Sequence, residues 1–289
     1  MYVATLIAPA GGLEPGLAEN LRNAWGGGAV QWLSQDEAAE FPLEAVPGNL
    51  WDIWADLQEL RVDLAVQRAE GRQKRLLIAD MDSTMIAQEC IDELAEAAGV
   101  GAHVRGITAR AMNGELDFEG ALLERMALLR GLPEHVIADV LACRITHAPG
   151  GAALVATMRQ KGAHTALISG GFTAFTGPVA QALGFDEHRA NVLGVEAGTL
   201  TGDVARPILG RQAKVDALDE IAGRLGIDVS EAMAVGDGAN DLGMLGHAGA
   251  GVAMHAKPSV AAQCDLRINH GDLTALLYLQ GYARSGFAA

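Results

Sequence analysis

The stretch that decides the fold is Arg75-Leu76-Leu77-Ile78-Ala79-Asp80-Met81-Asp82-Ser83-Thr84. Its apolar residues form a continuous run without alternation, which predicts a parallel strand buried on both faces. Asp80 and Asp82 follow that strand two residues apart, so extended backbone would direct both carboxylates to the same side. In an open α/β sheet, ligands bind beyond the carboxyl ends of the strands. The stretch therefore predicts an acidic site at that edge of the sheet.

Two neighbouring carboxylates repel each other unless a cation or a shared proton lies between them. Hard oxygen ligands favour Mg²⁺, which commonly joins one or two carboxylates to a substrate phosphate. The alternative is that the two acids end a strand and cap the next helix, as Asp often does. On this pair alone, both interpretations stay open.

A second acidic motif follows another short apolar run, Met233-Ala234-Val235, and reads Gly236-Asp237-Gly238-Ala239-Asn240-Asp241. Asp237 would leave its strand as Asp80 does, so carboxylates from neighbouring parallel strands can converge on one Mg²⁺. Asp241, four residues later, is suited to orient the site residues or to hydrogen-bond Lys214 from outside the shell of direct ligands.

Two weaker motifs lie between the acidic ones. Ser169-Gly170-Gly171 follows a predicted strand at 165–168, and a hydroxyl with unhindered amides can donate to a phosphoryl oxygen. The alternative is an ordinary turn between a strand and a helix. Lys214 lies near the start of a helix that opens at Gly210, an unfavourable place for a cation. A functional role would explain it, and a solvated surface lysine is the alternative.

Taken together, these motifs resemble those of the haloacid dehalogenase-like phosphatases. The first acidic stretch resembles the first motif of that family, and the later motifs match in order over roughly 160 residues. The Ser-Thr ending followed by Glu89 is similar to the phosphoserine phosphatases in particular. The resemblance implies an α/β fold: a Rossmann-like doubly wound parallel sheet with an inserted helical cap.

The resemblance also implies a role for each motif residue. Asp80 would be the nucleophile and Asp82 the general acid and base. Mg²⁺ would be held by Asp80, Asp237 and the backbone carbonyl of Asp82. Substrate contacts would come from Ser169, Gly170, Lys214 and Asn240, with Asp241 supporting the site from behind.

The predicted cap covers about residues 87–148. Helical patterns at 91–98, 103–112, 118–129 and 134–143 are separated by Gly99, Gly101, Gly114 and Gly131. A cap above the strand ends can exclude water and choose the substrate. Phe118 and Arg125 lie two helical turns apart and should share a face. By resemblance, Glu89, Phe118 and Arg125 hold an amino acid, and a carboxylate and a guanidinium suit its ammonium and carboxylate groups.

The function implied is a Mg²⁺-dependent phosphomonoesterase that hydrolyses O-phospho-L-serine through an aspartyl-phosphate, the last step of serine biosynthesis. The alternative within the same class is a phosphatase or phosphotransferase for another small metabolite, such as phosphothreonine or phosphohomoserine. A non-catalytic switch that is phosphorylated on aspartate, or an amino-acid sensor, is the alternative outside it. Such a switch would have no use for a helical cap.

Residues 1–70 differ from the predicted catalytic domain at 71–289. They contain all four tryptophans and 11 acids against three arginines. The pattern predicts a small α+β unit of βαβ type, with strands at 2–8 and 29–33 and a helix at 17–24. This unit resembles an abbreviated ACT-type amino-acid-binding module. The alternative is an accessory packing or dimerisation unit, and dimerisation through it would give a homodimer. Apolar residues at helical spacing from Trp51 to Leu64 predict a helix that leads through a linker at 72–75 into the catalytic strand.

The composition limits the kind of protein. The chain has 289 residues and a formal net charge of −15, which argues against nucleic-acid binding because an acidic surface repels phosphate backbones. A phosphate site on such a chain needs a metal ion and a few placed cations. Three scattered cysteines form neither a zinc motif nor a disulfide framework, which favours the cytoplasm. The sequence shows no export signal. No uninterrupted apolar span reaches about 18 residues, so membrane insertion is not predicted.

Overall fold

The computed structural model of the chain describes residues 1–112 and 115–288. The strands, in chain order, are β1 (Tyr2–Ile7), β2 (Gln31–Ser34), β3 (Ala38–Leu43), β4 (Asp63–Arg68), β5 (Leu76–Ala79), β6 (His164–Phe172), β7 (Glu187–Asn191), β8 (Leu193–Glu196), β9 (Thr199–Val204), β10 (Ala232–Gly236), β11 (Ala250–Met254) and β12 (Leu266–Ile268). The helices are α1 (Pro15–Trp25), α2 (Leu50–Glu59), α3 (Cys90–Ala97), α4 (Gly101–Met112), α5 (Phe118–Leu128), α6 (His135–Cys143), α7 (Gly151–Gln160), α8 (Thr173–Leu183), α9 (Arg211–Leu225), α10 (Leu242–His247), α11 (Pro258–Ala261) and α12 (Ala275–Leu279).

The central sheet has six parallel strands in the order β12-β11-β10-β5-β6-β7. The chain therefore builds outward from β5 in one direction and then returns to its other side, as in doubly wound Rossmann-like sheets. Along β5, Leu76 and Ile78 pack into one apolar cluster and Leu77 and Ala79 into another. Both faces of the strand are covered, which is why its sequence shows no alternation and confirms the predicted fold class.

The helices α3 to α6 form the insertion between β5 and β6, as predicted. Its two ends are joined at the base, where Ile86 bridges His147 and the Ala87 N–H donates to Thr146 O at 3.0 Å. The break predicted at Gly114 lies outside the described residues. The insertion therefore leaves and re-enters the core at one point, beside the carboxyl end of β5.

One predicted turn is wrong. The segment Ser169-Gly170-Gly171 belongs to β6, which continues to Phe172 before α8 begins. Its pairing with β7 is irregular between Ile168 and Phe172, because the strand bends away from its neighbour where the glycines occur. The hairpin predicted around Ala197-Gly198 is present as β8 and β9.

The N-terminal unit is larger than the predicted βαβ. It is a βαββαβ unit with an antiparallel sheet in the order β2-β3-β1-β4, a ferredoxin-like arrangement. The helix predicted up to Leu64 ends at Glu59, and Leu64 lies in β4, so that part of the prediction is wrong. The helical spacing of Leu60 and Leu64 was coincidental, because Arg61 takes a left-handed backbone conformation that breaks the helix.

Asp63, at the start of β4, attaches this unit to the central sheet. Its fully buried carboxylate accepts hydrogen bonds from the backbone N–H groups of Asn269, His270 and Gly271 at 2.8–3.0 Å. These residues follow β12, the edge strand of the central sheet.

Within the described residues, none of the helices is both long and apolar enough to cross a bilayer.

Candidate active site

The carboxyl ends of the central strands open into a cavity of about 990 Å³. Asp80 and Asp82 follow β5, and Asp237 follows β10, the adjacent strand. The Asp80 backbone N–H donates to Val235 O at 3.0 Å, which holds the two strand ends side by side. The cavity thus lies where the strand order reverses, the place where doubly wound sheets bind ligands.

The structure brings the predicted site residues together. Those that line the cavity are Asp80, Asp82, Glu89, Phe118, Arg125, Ser169, Gly170, Asp237 and Asn240. Lys214 and Asp241 are buried behind Asp80 and are bonded to one another. Side chains from the sheet and from the inserted helices therefore face one cavity.

Lys214 links the two most buried acids of the site. Its Nζ lies 2.6 Å from Asp80 Oδ1 and 2.6 Å from Asp241 Oδ1. Only the contact with Asp241 has hydrogen-bond geometry, so Asp80 Oδ1 is buried in ionic contact without a directed hydrogen bond. Burial alone would lower the pKa of Lys214, but the charges of Asp80 and Asp241 raise it above its usual range. These carboxylates keep an ammonium group in the first turn of α9, where the helix dipole disfavours it.

Three carboxylates of the site could hold a divalent metal ion. Oxygens of Asp80, Asp237 and Asp241 lie within 4.8 Å of one another. Burial raises the pKa of Asp237 to about 6, and repulsion from Asp241 is the next cause. Burial and the same repulsion raise the pKa of Asp80 well above its usual range, despite the nearby Lys214 ammonium. The protein alone leaves excess negative charge here, which a divalent cation would neutralise.

Asp82 has the environment of a proton carrier. Burial raises its pKa to about 7, and repulsion from Glu89 adds to the shift. The Cys90 backbone N–H donates to Asp82 Oδ1 at 3.1 Å and fixes the carboxyl group. A Cβ at Gly171 would lie 2.7 Å from Asp82 Oδ2, so the strand can approach this group only with glycine there. Near neutral pH, Asp82 populates both protonation states, as a general acid and base requires.

Among the described residues, the cap side of the cavity carries one guanidinium, that of Arg125, and two carboxylates, those of Glu89 and Asp92. Ser83 Oγ donates to Glu89 Oε1 at 2.7 Å. Arg125 Nε donates to Ala121 O at 3.1 Å within its own helix, which anchors the base of the guanidinium. Phe118 lies on the same face of α5, and its ring is within 3.1 Å of where a Cβ at Gly170 would be. The predicted shared face of Phe118 and Arg125 is confirmed, since both line the cavity.

Residues 77–246, more than half of the chain, match the family model described as haloacid dehalogenase-like hydrolase. The chain belongs to the haloacid dehalogenase-like hydrolases. Phosphoserine phosphatase SerB2 of Mycobacterium tuberculosis is 41% identical over 80% of this chain and 57% of its own length. The phosphoserine phosphatase of a Polaromonas species is 45% identical over 76% of this chain and 95% of its own length. This haloacid dehalogenase-like hydrolase thus has curated relatives among the phosphoserine phosphatases.

Solved structures show the same relationship. A haloacid dehalogenase family hydrolase, t0658 from Salmonella enterica serovar Typhi, aligns with a TM-score of 0.88 at 29% identity, over 96% of this chain and 98% of that one. A phospho-aspartyl intermediate analogue of phosphoserine phosphatase aligns with a TM-score of 0.67 at 39% identity, over 71% of this chain and 98% of that one. The chain spans 55–66% of the length of three curated relatives, SerB2 among them.

Sequence reasoning missed two residues that shape the site of this haloacid dehalogenase-like hydrolase. Asn191 is buried, donates from Nδ2 to Gly170 O at 2.8 Å and accepts from the Leu209 N–H at 2.7 Å, so it fixes the glycine segment of β6. Asp92 lines the cavity three residues after Glu89. Helical spacing from Glu89 could have revealed Asp92. No local signal marks Asn191, because its partners come from distant segments.

Proposed function

We propose that the chain is a Mg²⁺-dependent phosphomonoesterase that hydrolyses O-phospho-L-serine through an aspartyl-phosphate, the last step of serine biosynthesis. The observation that carries the proposal is the division of one cavity into two ends. The sheet end has Asp80 and Asp82 beside Lys214, which suits phosphoryl transfer. The cap end has Glu89 and Arg125, which suit the ammonium and carboxylate of an amino acid.

In the first half-reaction, an Asp80 oxygen would attack phosphorus, and the bond from phosphorus to the serine oxygen would break. Asp82 would give its proton to that oxygen, so that serine leaves as a neutral hydroxyl. In the second, water would attack phosphorus, Asp82 would take the proton, and Asp80 would be released with phosphate. Lys214, Ser169 and the Gly170 amide would stabilise the charge on the phosphoryl oxygens.

The residues fit a metal ion as well. Both Asp241 oxygens already accept hydrogen bonds, from Lys214 and from the Gly238 N–H, which favours Asp80 and Asp237 as ligands with Asp241 in support. The Asp82 backbone carbonyl is the third proposed ligand. Bound Mg²⁺ would supply positive charge to the phosphoryl oxygens.

A substrate panel tests the proposal. The protein would be assayed with phosphoserine, phosphothreonine, phosphohomoserine, a sugar phosphate and 4-nitrophenyl phosphate, each with Mg²⁺ and with a chelator. We expect the highest kcat/KM for phosphoserine, loss of activity with chelator, and recovery on adding Mg²⁺. A higher kcat/KM for another metabolite would assign the site to that ester, and full activity in chelator would remove the metal from the proposal.

Replacing Arg125 with Ala should separate the two ends of the cavity. Losing a charge-assisted contact of about 1.5–3 kcal/mol should lower kcat/KM for phosphoserine roughly 10- to 150-fold. Hydrolysis of 4-nitrophenyl phosphate, which has no carboxylate, should change much less. The matched control is Arg110→Ala, which removes an exposed cap arginine that pairs with Glu124 at 2.6 Å. Equal losses on both esters in a stable Arg125→Ala protein would exclude Arg125 from substrate selection.

For the N-terminal unit, the proposal concerns only domain organisation and assembly. We infer that residues 1–70 form a separate ACT-like unit, that residues 71–289 form the catalytic domain with its cap at about 87–148, and that the unit supports a homodimer. A cytoplasmic location is part of the same proposal. The buried contact of Asp63 with the residues after β12 supports a fixed position of this unit on the catalytic sheet.

A further inference from the structure

Asp92 is a carboxylate in the cavity to which the proposed reaction gives no role. It lies in the first turn of α3, three residues after Glu89, and both side chains line the cap end of the cavity. Among the described residues, no hydrogen bond or ion pair engages its carboxylate. Burial and repulsion from Glu89 raise the pKa of Asp92, while the Arg125 charge opposes them. The residue is thus a half-buried charge that the fold itself does not satisfy.

Arg125 lies under the influence of the same carboxylate. Burial lowers the pKa of Arg125, and Asp92 opposes that shift more strongly than Glu89 or Asp82 does. The only protein acceptor that the guanidinium reaches among the described residues is Ala121 O. The cap end therefore contains one guanidinium and two carboxylates, Glu89 and Asp92, with a net charge of −1 before substrate binds.

This charge balance selects among phosphate esters that carry a carboxylate. An amino acid brings a carboxylate for Arg125 and an ammonium group that the two acids can share, so the net charge of the cap end stays at −1. A hydroxy acid brings the carboxylate alone, which leaves both acids unpaired and adds a third negative charge beside them. Specificity commonly depends on such repulsion against the wrong ligand as well as on attraction to the right one.

We propose that Asp92 is a specificity-determining residue that, together with Glu89, makes an ammonium group a requirement for substrate and excludes phosphorylated hydroxy acids. The inference rests on the proposed hydrolysis of phosphoserine and assigns a further residue to the same cavity. It concerns discrimination between substrates, and it gives Asp92 no part in phosphoryl transfer.

A purely structural role predicts a different outcome. Acids in the first turn of a helix stabilise it through the helix dipole. Glu93 occupies the same turn of α3 but is absent from the cavity lining and pairs with Arg144 at 3.2 Å. Glu93→Gln is therefore a matched control, because it removes a carboxylate from the same helical turn outside the cavity.

The experiment compares kcat/KM for phosphoserine and for 3-phosphoglycerate, which has a hydroxyl in place of the ammonium, in the Mg²⁺-loaded protein. In Asp92→Asn, we expect the preference for phosphoserine to fall by about tenfold or more, mainly through a higher KM for phosphoserine and new activity on 3-phosphoglycerate. Glu93→Gln should keep the wild-type preference within about threefold. Asp92→Glu, which keeps the charge, should retain most of it.

Each outcome decides the inference. An unchanged preference in Asp92→Asn, or an equal change in Glu93→Gln, would overturn it while leaving the hydrolysis of phosphoserine intact. A wild-type protein that fails to prefer phosphoserine would overturn the proposed function itself. Activity on 4-nitrophenyl phosphate reports folding. If Asp92→Asn loses that activity, the test passes to the comparison of Asp92→Ser with Asp92→Glu. An equal preference for phosphoserine over 3-phosphoglycerate in those two variants would exclude a role for the charge.

Discussion

Replacing Asp80 with Asn should abolish turnover, lowering kcat by at least about 10⁴-fold. An amide is neither a nucleophile toward phosphorus nor an anionic metal ligand. Asp80 is also the acid whose buried Oδ1 lies in ionic contact with the Lys214 ammonium, so its carboxylate is held at a fixed place in the site. The measurement is kcat with phosphoserine, together with acid-quenched trapping of phosphate on the protein. Wild type should yield a phosphorylated protein and Asp80→Asn none.

The control for this substitution is Asp216→Asn, which neutralises an exposed acid bonded to Gln212 on α9. It should leave kcat unchanged. Thermal unfolding checks that Asp80→Asn stays folded, as expected since Lys214 keeps its hydrogen bond to Asp241. Substantial Mg²⁺-dependent turnover, or a trapped phosphate in Asp80→Asn, would show that another group is the nucleophile.

The strand that carries Asp80 could be predicted from sequence because local residues determine it. Leu76 and Ile78 face one buried cluster and Leu77 and Ala79 the other, so the apolar run needs no partner to be recognised. The same holds for Asp237 after β10. Both acids were predicted to be site residues because each follows a buried strand. The parallel pairing of β5 with β10 brings them together.

The second half of the N-terminal sheet could not be predicted in this way. β3 contains Glu40 and Pro42, residues that normally weaken a strand assignment. Glu40 is tolerated because Arg72 pairs with it at 2.5 Å, and Pro42 because it lies beyond the last residue paired with β2. Both reasons are tertiary contacts between residues distant in the chain, which local periodicity does not contain.

The cap end of the site shows the same limit. Helical spacing predicted that Phe118 and Arg125 share a face, but only a family resemblance singled out Glu89. Asp92 went unrecognised because acids in a first helical turn are common and stabilise the helix. Its relation to Arg125 depends on how α4 packs against both α3 and α5, which is decided by the fold of the whole insertion.

Replacing Asp82 with Asn should lower kcat/KM for phosphoserine by about 10²–10⁴-fold and should remove a pH dependence. The general acid must be protonated to release serine. Because burial raises the pKa of Asp82 to about 7, kcat/KM of the wild type should fall as pH rises above that value. Asp82→Asn should show a low, flat profile across the same range, measured from pH 5 to 9.

The leaving group provides the sharper comparison for Asp82. Serine leaves as a strongly basic alkoxide unless it is protonated, whereas 4-nitrophenolate leaves without a proton. Since kcat/KM reports the first phosphoryl transfer, Asp82→Asn should lose much less of it on 4-nitrophenyl phosphate than on phosphoserine. The Cys90 N–H that holds Asp82 can bond an amide oxygen equally well, so the site should keep its shape. Equal losses on the two esters, or a wild-type rate that still rises above pH 7, would mean that Asp82 does not deliver the proton.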